Sequence, residues 1–175
     1  ENHSPVFDSD TLQIDKYEPH KGANGKNDAT FFVASDDIDM ADLQRYRQET
    51  KTECLIAMNT TGKDLACLKL ADKVILCSPN EVSLVMQEFQ LLHRGSGIIG
   101  MDWNEVKWAI SSGRNIEFLH GMASGENCVA LACEQLIPKL KNLSSNYPIK
   151  NVMINMYADI SFGCEQQDFI IQQID

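Results

Sequence analysis

Asp102 and Glu105, three residues apart, are the side chains in this sequence whose types and spacing best suit chemistry. The i, i+3 spacing at a helix start sets both carboxylates on one face. Carboxylates so placed orient a water molecule or bind a hard cation. The same Asp-x-x-Glu pattern is also a capping box, in which both groups satisfy amide donors of the first helical turn. Other candidates are weaker. His93 and His120 are possible bases and Cys164 a possible nucleophile, but no Ser–His or Cys–His arrangement is readable from their spacing. Gly22, Gly25 and Lys26 lack the spacing of a phosphate loop, and no apolar strand leads into them. They read as a surface loop. Ser124-Gly125-Glu126-Asn127 reads as a turn and helix start, with Glu126 favourable at the positive end of the dipole.

The elements that must position the carboxylates follow an α/β rhythm. Residues 30–34 (TFFVA), 53–58 (ECLIAM) and 73–77 (KVILC) are continuous β-prone apolar runs, suited to a sheet covered on both faces. Asp39 is placed to cap a first helix carrying Met40, Leu43 and Tyr46 or Arg47. Residues 64–71 predict a short helix. Ser78-Pro79-Asn80-Glu81 is a strong helix start, with a capping box and proline at the first position. Val82, Val85, Phe89 and Leu92 then mark one apolar helix face. Further helices are expected over 102–112, 126–140 and 165–174, with Phe169 and Ile170 of the last turned inward. Pro138 is expected to kink or tighten the end of its helix. Strands are expected over 116–119 and, from the alternation of Val152, Ile154 and Met156, over 152–156. Residues 1–29 are polar and broken by Pro5, Pro19, Gly22 and Gly25, and order is expected from Ala29. The organisation expected is a flexible segment 1–29, an α/β segment 30–94 and a second α/β segment 95–175.

Bulk properties narrow the function classes. The chain has 175 residues, 43% of them hydrophobic, enough for one sizeable core or two small ones. Its net charge of −10 argues against a nucleic-acid footprint and against a polybasic membrane contact. No apolar run approaches the ~20 residues of a membrane span. Six cysteines occur without a C-x-x-C pair, and Cys54, Cys77, Cys128 and Cys133 lie in apolar runs. They read as free thiols, which implies a reducing compartment and a cytoplasmic location. N-x-[ST] triplets at Asn2, Asn59 and Asn142 carry little weight. The first residue is Glu1 rather than Met, as in a fragment or a processed product.

One stretch carries a family likeness. Residues 97–107 (GIIGMDWNEVK) resemble the synergy loop of the FtsZ/tubulin-like family, whose run is close to G-[LI]-I-N-[VL]-D-F-A-D-V-[RK]. In that family a helix, a glycine, a strand, an A-S-G-E-N turn and another helix follow. Here the order is Gly113, residues 116–119, Gly121, Ala123-Ser124-Gly125-Glu126-Asn127 and a helix reaching Ile137-Pro138. A late strand and helix correspond to Asn151–Met156 and the run from Glu165, so the likeness covers about 98–174.

The resemblance implies a domain like the FtsZ C-terminal domain and action through assembly with FtsZ/tubulin-like protomers or with itself. It puts Asp102 and Glu105 in the places of two carboxylates that reach into the next protomer's nucleotide pocket, with Gly100 and Trp103 positioning the loop. The departures are specific. Gly100 replaces the family's Asn, Glu105 its second Asp and Cys128 its Arg, and Tyr157-Ala158-Asp159 stands for its T-G-G. The glycine-rich phosphate loop is absent, so the chain alone is expected to bind no cofactor. GTP and a divalent cation would come only through a partner. Residues 30–94 would then be a shortened GTPase-domain remnant. The alternative is an α/β interaction module that kept the fold and lost the chemistry.

Overall fold

The computed structural model describes residues 14–18, 25–93, 103–158 and 162–174. Strands and helices interleave as an α/β fold: β1 (Ile14–Lys16), β2 (Ala29–Val33), α1 (Met40–Glu49), β3 (Cys54–Asn59), β4 (Lys73–Leu76), α2 (Val82–His93), α3 (Trp103–Ser111), β5 (Asn115–Glu117), α4 (Cys128–Asn146) and α5 (Cys164–Ile174). The strands form one sheet in the order β1-β2-β3-β4-β5, with β1 to β4 in parallel register. Contacts divide the chain into two compact units, Glu1–Ile116 and Glu117–Asp175.

In the first unit, strand alternation sorts the core into two layers. Phe32, Leu55, Ala57 and Val74 join Leu43 and Tyr46 of α1 in one cluster. Phe31, Ile56, Met58 and Ile75 alternate with them and point the other way. There Phe31 meets Phe89 of α2 edge to face, with ring centroids 5.0 Å apart. Val85, Val106 and Ile110 are buried at the spacing expected of helix inner faces. A buried hydroxyl chain closes the amino end of the sheet: Thr52 Oγ1 lies 2.7 Å from both Thr30 Oγ1 and Thr50 Oγ1.

Several expectations are corrected. Order begins before Ala29, because β1 pairs Ile14–Lys16 with Ala29–Phe31. The short helix expected over residues 64–71 does form, as a 3-10 helix, Ala66–Leu70. Its last carbonyls are held from a distance by Arg114, which donates to Leu68 O and Ala71 O.

In the second unit, α4 contains Pro138 and runs on to Asn146, beyond the expected end at Leu140. Pro138 and Glu134, the residue whose carbonyl loses its amide, are both at exposed positions, so the displacement falls on the solvent side of the helix. Residues 151–158 contain no strand. Phe169 is 38% exposed rather than turned inward. Gly121 lies against α4: a Cβ there would stand 2.8 Å from Ala132 O and 2.9 Å from Leu136 Cγ. Gln135 holds the neighbouring backbone, accepting from Met122 N at 3.1 Å and donating to Met122 O at 3.0 Å.

Candidate functional site

α3 begins at Trp103 with Glu105 in its first turn, exposed. Asp102 and Gly100 lie outside the described residues, so the spacing of the two carboxylates rests on sequence. Trp103 is half-buried, and its indole Nε1 is buried with no hydrogen-bond partner among the described residues. One turn on, Lys107 Nζ sits 5.9 Å from the centroid of the Trp103 ring, within cation–π range. Lys107 also reaches Glu53 Oε2 at 3.4 Å, while Lys26 takes Glu53 Oε1 at 3.2 Å. Lys26 first, then Lys107, hold the Glu53 carboxyl below the usual range. The start of α3 is thus tied to the start of β3, and Glu105 projects from an anchored turn.

The carboxyl ends of parallel strands are where open α/β sheets bind ligands. Here three consecutive loops at that edge are closed by their own side chains. After β2, Asp39 caps α1, its Oδ1 accepting from Ala41 N at 2.9 Å and Asp42 N at 3.2 Å. Asp36 and Asp37 add negative charge beside it. After β3, the buried Asn59 side chain accepts from Thr61 N and Gly62 N at 3.2 and 3.1 Å and donates to Lys63 O at 3.0 Å. After β4, Glu81 Oε2 accepts from Ser78 N and Ser78 Oγ, each at 2.7 Å, as the predicted capping box. A phosphate at this edge needs free amides and a tolerable field. The residues present do not fit one: the amides after β2 are taken by a carboxylate, with two more acids adjacent. Asp39 was legible as a cap; its consequence for anions required the sheet to place it.

The remaining candidates are not brought together. Cys164 is exposed at the start of α5, and His120 is half-buried in the loop after β5. The side chain of His93, a candidate base at the end of α2, lies outside the described residues. All six cysteines are free. Burial, with Asp72 adding to it, pushes the Cys54 thiol up to about 11, and burial also raises Cys77 and Cys133, so these three are poor nucleophiles. Among the described residues no group of three or more His, Cys, Asp or Glu could hold a metal. The open depression of about 340 Å³ beside α1 contains none of the candidates, and its Arg47 is engaged by Asp72 at 2.7 Å and Leu70 O at 3.2 Å. Asn59 is buried with its amide engaged, which leaves no room for a glycan. No helix among the described residues is long and apolar enough to cross a membrane.

No protein-family model, curated protein or solved structure matches this chain.

Proposed function

We propose that this chain acts by protein–protein assembly as a divergent relative of the FtsZ/tubulin-like family, bringing Asp102 and Glu105 to a nucleotide held by another protomer in the cytoplasm. The observation that carries this reading is the run from Gly97 to Pro138, in which the carboxylate turn, helix, glycine, strand, A-S-G-E-N turn and helix keep the family's order. The exposed place of Glu105 on the first turn of α3 supports it. So does the closed carboxyl edge of the sheet, which leaves GTP and its cation to the partner.

A second reading is an interaction module without chemistry. Gly100 and Cys128, standing where the family has Asn and Arg, favour it. Co-pelleting with a full FtsZ-type GTPase, with GTP turnover measured in parallel, tests the pair. Assembly with altered turnover, lost in Asp102→Asn/Glu105→Gln while pelleting persists, supports the catalytic contribution. Pelleting with unchanged turnover supports the module. No association with the GTPase and no effect on it overturn both.

A further inference from the structure

The two ends of α3 are fastened by different means. Behind the helix, Gly113 O accepts from Lys73 Nζ at 2.6 Å and Arg114 O from Val74 N at 2.9 Å, while the Arg114 guanidinium donates to Leu68 O and Ala71 O. Val106 and Ile110 bury its middle. The first turn meets the sheet through charge. Glu53 is the fixed partner: its amide donates to Asn27 O at 3.2 Å, and Cys54 N donates to Asp28 O at 3.1 Å. Asn27 is itself buried and donates to Thr30 Oγ1 at 3.3 Å, so the backbone under Glu53 rests on the buried threonine chain. Lys107 is the moving partner. Helical side chains lean towards the amino terminus, which carries Lys107 over Trp103, one turn earlier. Its single ammonium then lies 5.9 Å from the indole centroid and 3.4 Å from Glu53 Oε2.

At exposed sites an ion pair or a cation–π contact shifts an equilibrium only about two- to fivefold. At a helix end local opening costs little free energy, so a factor of that size decides how often the turn is formed. Glu105 rides on this turn.

We propose that Lys107 is a positioning residue for the carboxylate turn: by bridging the Trp103 ring to Glu53 it holds Glu105 in place and sets how effectively the turn serves a partner's nucleotide. The effect on the nucleotide rests on the assembly reading; the fastening does not.

Amide hydrogen exchange of the full chain, read by NMR at positions 107 and 108, tests the fastening. Lys107→Gln should raise the opening equilibrium there about fivefold, with the amides of β2 and β3 unchanged. Glu53→Gln should raise it about two- to threefold. Glu53→Gln/Lys107→Gln should go no further than Lys107→Gln alone, since both contacts share one ammonium. Lys107→Arg keeps the charge and the stacking and should behave as wild type. In 1 M salt the wild-type chain should move towards Lys107→Gln, because the ion pair is screened. A turn closed about five-sixths of the time and opened fivefold further is closed about half the time. In the co-pelleting assay Lys107→Gln should therefore cut the chain's effect on GTP turnover about twofold while pelleting persists. A Lys107→Gln chain that opens no more than wild type overturns the proposal. So do additive losses in the double variant, or a Lys107→Arg chain that behaves like Lys107→Gln. A looser turn with the full effect on turnover overturns the positioning role. A wild-type chain without effect on turnover overturns the nucleotide reading instead, and the exchange series still decides the fastening.

Discussion

Replacing Tyr46 by Phe should weaken the fold at neutral pH and blunt its loss of stability in alkali. Two tyrosines cross-brace β1 and α1. Tyr17, just after β1, donates its hydroxyl to Asp42 Oδ2 of α1, and Tyr46 of α1 donates to Asp15 Oδ2 of β1, both at 2.6 Å. The rings meet edge to face with centroids 5.4 Å apart, and both residues are buried. Burial, then the hydrogen bond to Asp15, push the Tyr46 hydroxyl up to about 12, and burial with Asp42 raises Tyr17 further. An unfolded tyrosine loses its proton near pH 10. Above that pH the unfolded state binds fewer protons than the folded state, so stability falls as pH rises. The contribution is complete below about pH 10 and is lost as pH climbs through about 12. That rise gives Tyr46 a pH-dependent contribution of at most ~2 kcal/mol, since the solvent near its hydroxyl screens part of it. Tyr46→Phe keeps the ring and removes the donor, for a loss of ~1–2 kcal/mol at neutral pH. Urea melts followed by circular dichroism at about pH 7, 9 and 11 measure both effects against wild type. The Tyr17→Phe/Tyr46→Phe chain should show the flattest profile of the series. A Tyr46→Phe chain whose stability declines in alkali as steeply as wild type would refute this assignment.

Three further outcomes are open to direct measurement. Asp39→Ala removes both side-chain bonds to the first turn of α1 and should cost ~1 kcal/mol in urea melts, since the freed amides turn to water. Gly121→Ala drives a methyl into the Ala132 carbonyl of α4, which is backbone and cannot rotate away. It should cost ~1–3 kcal/mol, read as faster amide exchange in α4 with the amides of β2 and β3 unchanged. Millimolar GTP with magnesium should leave the melting temperature of the chain alone unmoved, because only a ligand bound to the folded state raises it. A shift of several degrees would place a nucleotide site within this chain.

The central strands were legible because burial on both faces demands unbroken apolar runs, as in residues 54–58. The caps at Asp39 and at Ser78–Glu81 were legible because capping is local chemistry. β1 was hidden: it is three residues long with one apolar side chain, and its anchor is a pair of tyrosine–aspartate bonds spanning 25 and 31 residues. The 3-10 geometry at Ala66–Leu70 was hidden for the same reason, since Arg114 lies 43–46 residues away. Residues 152–156 show the opposite failure. Their alternation is real, but period gives a face and not a partner, and no ladder forms among the described residues. Of the candidate site, Trp103 and Glu105 fall at the predicted helix start, while Gly100 and Asp102 lie outside the described residues.

The self-closed loops connect fold to function. A helix or loop at the carboxyl edge of a parallel sheet binds phosphate only if its amides are unclaimed. In this chain Asp39, Asn59 and Glu81 each place a side-chain oxygen on the amides of its own loop, after β2, β3 and β4 in turn. Two of the three are carboxylates, so a phosphate would have to displace a bonded acid and then sit in its field. The local caps that fasten these crossovers therefore compete with a nucleotide for the same donors. If Asp102 and Glu105 act on GTP, the reaction depends on how this chain docks, and the site's geometry belongs to the contact between protomers.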